Sequence, residues 1–223
     1  MILSLPRDEL YSYVTKQADN FFPDNCTSEG DKRAFDLALE RLEYCFERIK
    51  TRGYQENGMP SFYHLHMDQY SQFLYYYANS IWTLDGNTAF SDKLVLLNRA
   101  LSGMWCSYKN KLPNIFLFVH PVGTVLGNAF YSDYLVVLQN VTVNTMLDSK
   151  GNLSLHVGKG TFFSAGSSVI GNSNIGDWCT LGVGAVLRNR SLPSGHLACR
   201  DEDGSLQIKE YDNKKIIASY FYL

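Results

Sequence analysis

The chain has 223 residues, a formal net charge of −2 and a hydrophobic fraction of 45%. This length allows one large domain or two small ones, and the charge gives no electrostatic reason to expect nucleic acid or a membrane surface as a partner. The five cysteines are odd in number and lack CxxC spacing, which favours reduced thiols in a cytoplasmic protein over a disulfide framework or a zinc site. We expect neither a signal peptide nor a membrane span, because no apolar run is long enough.

Residues 1–111 are predicted to form an α-helical domain, because apolar residues return at helical spacing in three segments. Ser91 is predicted to be the N-cap of the third helix. The apolar positions are Phe35, Ala38, Leu42, Cys45 and Ile49 in the first segment, Tyr70, Phe73, Leu74, Tyr77 and Ile81 in the second, and Leu94, Leu97, Leu101 and Met104 in the third.

Near Leu112 and Pro113 the composition becomes β-branched, aromatic and rich in glycine, and a period of six residues follows. Neither a helix nor an ordinary strand has this period, which is typical of a β-helix built from hexapeptide repeats. The fold class is therefore α+β, with a β-helix over residues 112–192 and a short C-terminal tail over 193–223. The apolar residue of each hexad is predicted to fill the core at Val157, Phe163, Val169, Ile175, Leu181 and Leu187, with a small residue two positions earlier at Thr161, Ser167, Ser173, Cys179 and Ala185.

The repeat is interrupted further upstream. Leu126 and Val137 are eleven residues apart, one fewer than two hexads, and Val143 and Val157 are fourteen apart, two more than two hexads. The excess coincides with the polar segment 148–152, which is predicted to be a loop extending from a coil. Loops of this kind in solenoids often contribute to the functional site.

His120 stands where the helical half gives way to the coils, in the segment His120-Pro-Val-Gly-Thr-Val-Leu-Gly127. This segment and the later Leu138-Gln-Asn-Val-Thr142 resemble serine acetyltransferases and related hexapeptide-repeat acyltransferases. The resemblance implies a left-handed parallel β-helix and a homotrimer or dimer of trimers, with acetyl-CoA as co-substrate between subunits and no permanently bound cofactor. It also implies that His120 is the general base. A neutral imidazole is well suited to take the proton of an attacking hydroxyl near pH 7.

The sequence also departs from this family. The family usually has an aspartate directly before the base, where this chain has Val119, and no acid lies between Leu112 and Phe118 to orient the imidazole. The segment 148–154 lacks the basic and histidine residues used for the amino-acid carboxylate. We therefore expect a sugar or another small molecule as acceptor rather than serine, as in the serine-acetyltransferase-like proteins of surface-polysaccharide biosynthesis.

Several further residues are candidates for binding. On a helix, His64 and Asp68 would lie on one face, and they are predicted to bind the acceptor. Small residues and one cation are predicted to contact CoA, namely Ser164, Ala165, Gly182, Gly184, Ala185 and Arg188.

A zinc site of the kind found in carbonic anhydrases with this fold would use His120 and His156. It would also need a third histidine where this chain has Thr161, so no metal is expected.

These observations predict an enzyme that transfers an acetyl group from acetyl-CoA to a hydroxyl of a sugar or small molecule. Two alternatives remain open at this point. One is a sugar-nucleotide N-acyltransferase of the same fold, and the other is a trimeric scaffold that has lost the chemistry.

Overall fold

The computed structural model describes residues 1–24, 32–86, 89–144, 147, 150–151 and 154–223. The described helices are α1 (Arg7–Phe21), α2 (Lys32–Phe46), α3 (Met67–Asp85), α4 (Ala89–Ser102) and α5 (Lys214–Tyr220). The fold is α+β, with the first four helices preceding a series of short parallel strands. Within the described ranges, no helix is both long enough and apolar enough to cross a membrane.

Helix α3 is the centre of the helical half and packs against both α2 and α4. It is buried on all sides over most of its length, as is typical of a central helix. Ser91 lies inside α4, fully buried, and donates a hydrogen bond to the carbonyl of Ala78 at 3.0 Å. The prediction that Ser91 caps the helix was therefore wrong, because its hydroxyl joins α4 to α3. A small sheet of β1 (Ile2–Leu3), β2 (Gln55–Glu56) and β3 (Met59–Phe62) completes this half.

The parallel strands form a solenoid with three ladders, which the chain visits in turn. The first ladder contains β4 (Trp105–Cys106), β6 (Val125–Leu126), β9 (Thr142–Val143), β12 (Ser168–Ile170) and β14 (Val186–Arg188). The second contains β7 (Phe130–Tyr131) and β10 (His156–Val157), continued by single bridges at Ile175 and Leu192. The third contains β5 (Phe116–Phe118), β8 (Leu135–Val137), β11 (Phe162–Phe163), β13 (Thr180–Leu181) and β15 (His196–Arg200).

The hexad repeat corresponds to one ladder per hexad and three hexads per coil. Phe163 pairs with Leu181 and Val169 with Leu187, eighteen positions later in each case. Gly158 is required by close backbone stacking, because a Cβ at this position would lie 2.4 Å from the backbone of Gly176 in the next coil. All six predicted core residues are buried, as the hexad pattern predicts.

The interruption between Val143 and Val157 differs from the prediction. Val143 lies on the first ladder and Val157 on the second, so they are one hexad apart in the coil. Because they are fourteen residues apart in the sequence, this hexad contains an insertion of eight residues. The predicted excess of two was wrong, because a period of six cannot distinguish an insertion of two residues from one of eight. Residues 148, 149 and 152 of the predicted loop lie outside the described residues.

The parallel ladders extend beyond both predicted boundaries. β4 pairs with β6, so the first ladder begins at Trp105, and β15 continues the third ladder after residue 192. β16 (Leu206–Glu210) then pairs antiparallel with β15, and Phe221 bridges back to Ile49 in the helical half. A single hydrophobic core runs through both halves.

Candidate active site

His120 lies on the corner that joins the third ladder to the first, directly after β5. Val125 follows Phe118 by seven positions, whereas their partners in the next coil, Thr142 and Val137, are only five apart. The two additional residues make this corner wider than the ones that follow. The His120 backbone has φ 48°, in the left-handed region, and its carbonyl accepts a hydrogen bond from Val122 N–H at 2.7 Å. The wider turn leaves the imidazole 78% exposed.

An aspartate from the helical half meets this imidazole. Asp68 Oδ2 lies 3.4 Å from His120 Nδ1, and the Asp68 side chain is only 9% exposed. The contact has the distance of an ion pair and is longer than an ordinary hydrogen bond. Catalytic hydrogen bonds in ligand-free structures are often long and shorten when substrate binds. With Nδ1 directed at the carboxylate, Nε2 is the nitrogen left to take a proton.

The first turn of α3 holds Asp68 in place. Its neighbour Gln69 is fully buried and accepts a hydrogen bond from Tyr63 N–H at 2.7 Å. The same side chain donates to the Gly53 carbonyl at 2.9 Å. Two loops are thereby fixed to the start of the helix, where the helix dipole also favours a negative charge. These contacts fix the backbone that carries Asp68.

Tyr54 lies close to Asp68, and its ring packs against that of His66 with centroids 5.7 Å apart. Burial raises the pKa of the Tyr54 hydroxyl well above its usual value, and the negative charge of Asp68 raises it further. The Tyr54 hydroxyl and His66 Nδ1 are both buried and have no hydrogen-bond partner among the described residues. Tyr54 therefore stays protonated and neutral beside the carboxylate.

His64, the other predicted acceptor-binding residue, belongs to a different contact. Its Nδ1 lies 2.7 Å from Ser4 Oγ, and its ring packs edge-on against Tyr13 at 5.0 Å. These contacts hold the segment before α3 against the N-terminal residues. The structure thus brings Asp68, but not His64, into contact with His120, and the role of either residue in acceptor binding stays a prediction.

The small residues predicted to contact CoA lie along the same corner as His120. The residues two positions after the paired strand positions Phe118, Val137, Phe163, Leu181 and Ala198 lie at the same corner in five successive coils. We call this set the corner column, and it contains His120, Gln139, Ala165, Val183 and Arg200. In the first of these coils the two additional residues shift the register: Asn140 N–H donates to the Val122 carbonyl, so Val122 stacks on Gln139 and His120 lies beside this stack.

Five of the six predicted residues are in this column or beside it. They are Ser164, Ala165, Gly182, Gly184 and Ala185, and Gly184 N–H donates to the Ala165 carbonyl at 2.9 Å. Arg188 is different, because it ends β14 on the far side of the first ladder. Arg200 stands at the end of the column instead and donates a hydrogen bond to the Gly184 carbonyl at 2.6 Å. The sequence contains no spacing that separates Arg200 from the other cations.

The remaining histidines of the coils are away from this corner. His156 lies on the second ladder and stacks on Phe130, with ring centroids 4.6 Å apart. His196 begins β15, and its Nδ1 lies 2.9 Å from the Ser194 carbonyl. Across the described part of the chain, no group of three His, Cys, Asp or Glu side chains is close enough to hold a metal ion.

Comparison of the sequence with protein-family models and with curated proteins finds no match. Comparison with solved structures finds serine acetyltransferases. One of them, solved in complex with CoA, superposes with a TM-score of 0.63 over 87% of this chain and 82% of that chain, at 13% identity. The Neisseria gonorrhoeae enzyme gives a TM-score of 0.63 over 90% and 79%, at 14% identity.

Isoform 3 from Entamoeba histolytica, in complex with cysteine, gives a TM-score of 0.61 over 95% of this chain and 76% of that chain, at 16% identity. At such low identities the likeness shows the fold. The predicted resemblance to serine acetyltransferases is confirmed at that level, and it covers the helical half as well as the coils.

Proposed function

We propose that this protein is an acyltransferase that moves an acetyl group from acetyl-CoA to a hydroxyl group of a sugar or another small molecule. His120 is the general base and Asp68 is the residue that positions it. The observation that carries the proposal is the 3.4 Å contact between these two side chains at the head of the corner column. This contact favours an enzyme over an inactive scaffold, because it supplies the acid that the neighbouring sequence of His120 lacks.

The chemistry needs only groups that this site contains. The acceptor oxygen attacks the thioester carbonyl while His120 Nε2 removes the hydroxyl proton, and Asp68 stabilises the imidazolium that forms. The C–S bond of the tetrahedral intermediate then breaks, and the imidazolium returns the proton to the leaving thiolate of CoA. Backbone N–H groups near the corner would stabilise the oxyanion.

The corner column supplies a path for the pantetheine arm. Adjacent coils are about 4.8 Å apart, so the four steps from the first corner, where His120 lies beside Val122, to Arg200 cover about 19 Å. The small residues along this path let an extended ligand approach the backbone. Arg200, at the far end, offers its guanidinium to phosphate. The similar serine acetyltransferase solved with CoA supports this choice of co-substrate.

Serine is not the acceptor we propose. Val119 precedes the base where the resembling enzymes usually carry an aspartate, and the segment 148–154 lacks the basic and histidine residues that those enzymes use for the amino-acid carboxylate. We propose a sugar hydroxyl, as in surface-polysaccharide biosynthesis. At the His120 corner, the described residues show no feature that favours N-acylation of a sugar nucleotide over this.

We further propose a left-handed solenoid that assembles as a homotrimer or a dimer of trimers. Apolar side chains are exposed on one side of the solenoid, on the first ladder and at the His120 corner. They are Trp105 (36% exposed), Val125 (39%), Val122 (58%) and Val183 (73%). A second copy of the chain would remove these side chains from water.

The decisive experiment compares His120→Ala with His156→Ala and His196→Ala. Thioester cleavage is measured with acetyl-CoA over a panel of sugars, nucleotide sugars and free serine. We expect His120→Ala to lower the rate by roughly 10²- to 10⁴-fold, with an unchanged circular dichroism spectrum and unchanged CoA binding, while both controls stay near wild type. A folded, nearly fully active His120→Ala variant would refute the assignment of the base, and turnover of serine as fast as any sugar would refute the acceptor class.

A further inference from the structure

A cavity lies on the opposite side of the solenoid from the corner column. It is an open groove with a volume of about 690 Å³, lined by residues of the second ladder and of the segment 109–114. Its lining includes Lys109, Lys111 and Lys159, with Phe130, Asp133 and Asp177. We call this cavity the lysine groove. Its volume is within the range of small-molecule sites, about 300 to 1,000 Å³.

The segment that carries Lys109 and Lys111 is held firmly in place. Asn110, between them, is only 4% exposed and donates to the Leu126 carbonyl at 2.7 Å. The Tyr75 hydroxyl donates to the Asn110 carbonyl at 2.7 Å and accepts from Leu112 N–H at 2.8 Å. The two lysines are therefore presented on a rigid backbone, so that less conformational entropy is lost when a ligand binds.

None of the three lysines forms an ion pair within the described residues, although two aspartates line the same groove. Both aspartates are engaged by backbone N–H groups: Asp133 Oδ1 accepts from Ile115 at 3.0 Å and Asp177 Oδ1 from Lys159 at 2.8 Å. The Lys159 ammonium lies over Tyr134 at 5.2 Å, and that of Lys109 lies over Trp82 at 4.9 Å. Three lysines and two aspartates give the groove lining a formal net charge of +1, which favours an anionic ligand.

An aromatic side chain, Phe130, lines the same groove. Phe130 is 52% exposed and stacks on His156 with an interplanar angle of 24°. Since an exposed aromatic ring next to lysines is the combination that binds a base and its phosphates, we propose that the lysine groove binds the diphosphate and base of a nucleotide. This site is separate from His120 and does not depend on the proposed acyl transfer.

Isothermal titration calorimetry of the full chain with ADP, UDP and inorganic pyrophosphate tests this proposal. The Lys109→Ala/Lys111→Ala/Lys159→Ala variant should weaken binding of all three probes by at least about tenfold, because charge-assisted contacts to phosphate are lost. Phe130→Ala should weaken ADP and UDP by about fivefold or more and leave pyrophosphate unchanged, since only the base stacks. Lys209→Ala, an exposed lysine on β16 outside the groove, is the matched control and should bind like wild type.

Titration of ADP in the presence of saturating CoA identifies the source of the nucleotide. Because the proposed path of CoA ends at Arg200, on the opposite side of the solenoid, CoA should not displace ADP, and the groove is then assigned to a nucleotide other than CoA; displacement would place the nucleotide end of CoA in the groove instead of at Arg200. Two results would overturn the proposal: no binding of any probe at millimolar concentration, or ADP binding that the triple lysine variant leaves unchanged. Repeating the titration with His120→Ala separates this test from the proposed function, because that variant should bind ADP normally even if it is inactive.

Discussion

Asp68→Asn is the most informative single substitution in this protein. It removes the negative charge beside His120 but preserves the size of the side chain. At 3.4 Å, two unit charges attract each other by about 1.2 kcal/mol at a dielectric constant of 80 and about 4.9 kcal/mol at 20. Since the imidazole is 78% exposed, solvent screening places the expected loss toward the lower value. A loss of about 1.4 to 2.8 kcal/mol of transition-state stabilisation corresponds to about a 10- to 100-fold fall in kcat/KM.

The assay is steady-state thioester cleavage over a range of pH, with CoA binding and thermal unfolding measured in parallel. Asp36→Asn removes a carboxylate from the surface of α2 and should leave kcat/KM unchanged. Asp68→Asn should also lower the free energy of unfolding slightly, by about 0.3 to 1 kcal/mol, because the carboxylate lies in the first turn of α3. An Asp68→Asn variant with kcat/KM within threefold of wild type and the same pH profile would refute the assigned role.

Three further outcomes are expected. Gly158→Ala should lower the free energy of unfolding, measured by urea titration, by about 1 to 3 kcal/mol, because the new Cβ meets the backbone of Gly176 at 2.4 Å. The control Asn172→Ala, at an exposed corner, should change the free energy of unfolding by less than about 0.5 kcal/mol. Burial raises the pKa of the Cys45 thiol from 9.0 to about 11. The stability contributed by the buried, protonated thiol is therefore present below pH 9 and is lost as the pH rises toward 11. Tm should fall over this pH range, and it should fall less steeply in Cys45→Ala. Multi-angle light scattering should give a mass of three times 25.3 kDa or a multiple of it, and a stable monomer at micromolar concentration would contradict the trimer.

The order and type of the main elements follow from local patterns in the sequence. Each side of a coil needs one apolar residue in the core, so an apolar residue recurs every six positions. This requirement is visible within a short stretch of sequence, whatever the rest of the chain does. The helical spacing of Phe35, Phe73 and Leu94 acts in the same way. The interval between Val143 and Val157 does not follow from the pattern, because a repeat fixes a position only to within a whole number of hexads.

The wide corner at His120 is also visible in the sequence once the pairing of the strands is known. Seven residues separate Phe118 from Val125, and the two additional positions bring the imidazole out of the coil. Arg200 is the opposite case. It lies at the end of the corner column only because β15 continues the third ladder beyond the last regular hexad.

What the sequence by itself determined is the repetition: an apolar residue in every hexad, a small residue beside it, and therefore a solenoid preceded by helices. What only the tertiary structure decided is which distant groups meet. Asp68 and His120 are fifty-two positions apart, the first on a helix and the second on a corner of the first coil. Since residues 112–119 contain no acid, the sequence around His120 does not predict which carboxylate it contacts. Hydrogen bonds from the buried side chains of Gln72, Tyr75 and Asn79 to carbonyls of the first coil hold α3 against the solenoid. Their geometry brings the carboxylate to the imidazole, because a contact between two elements depends on how they dock and not on the pattern within either one.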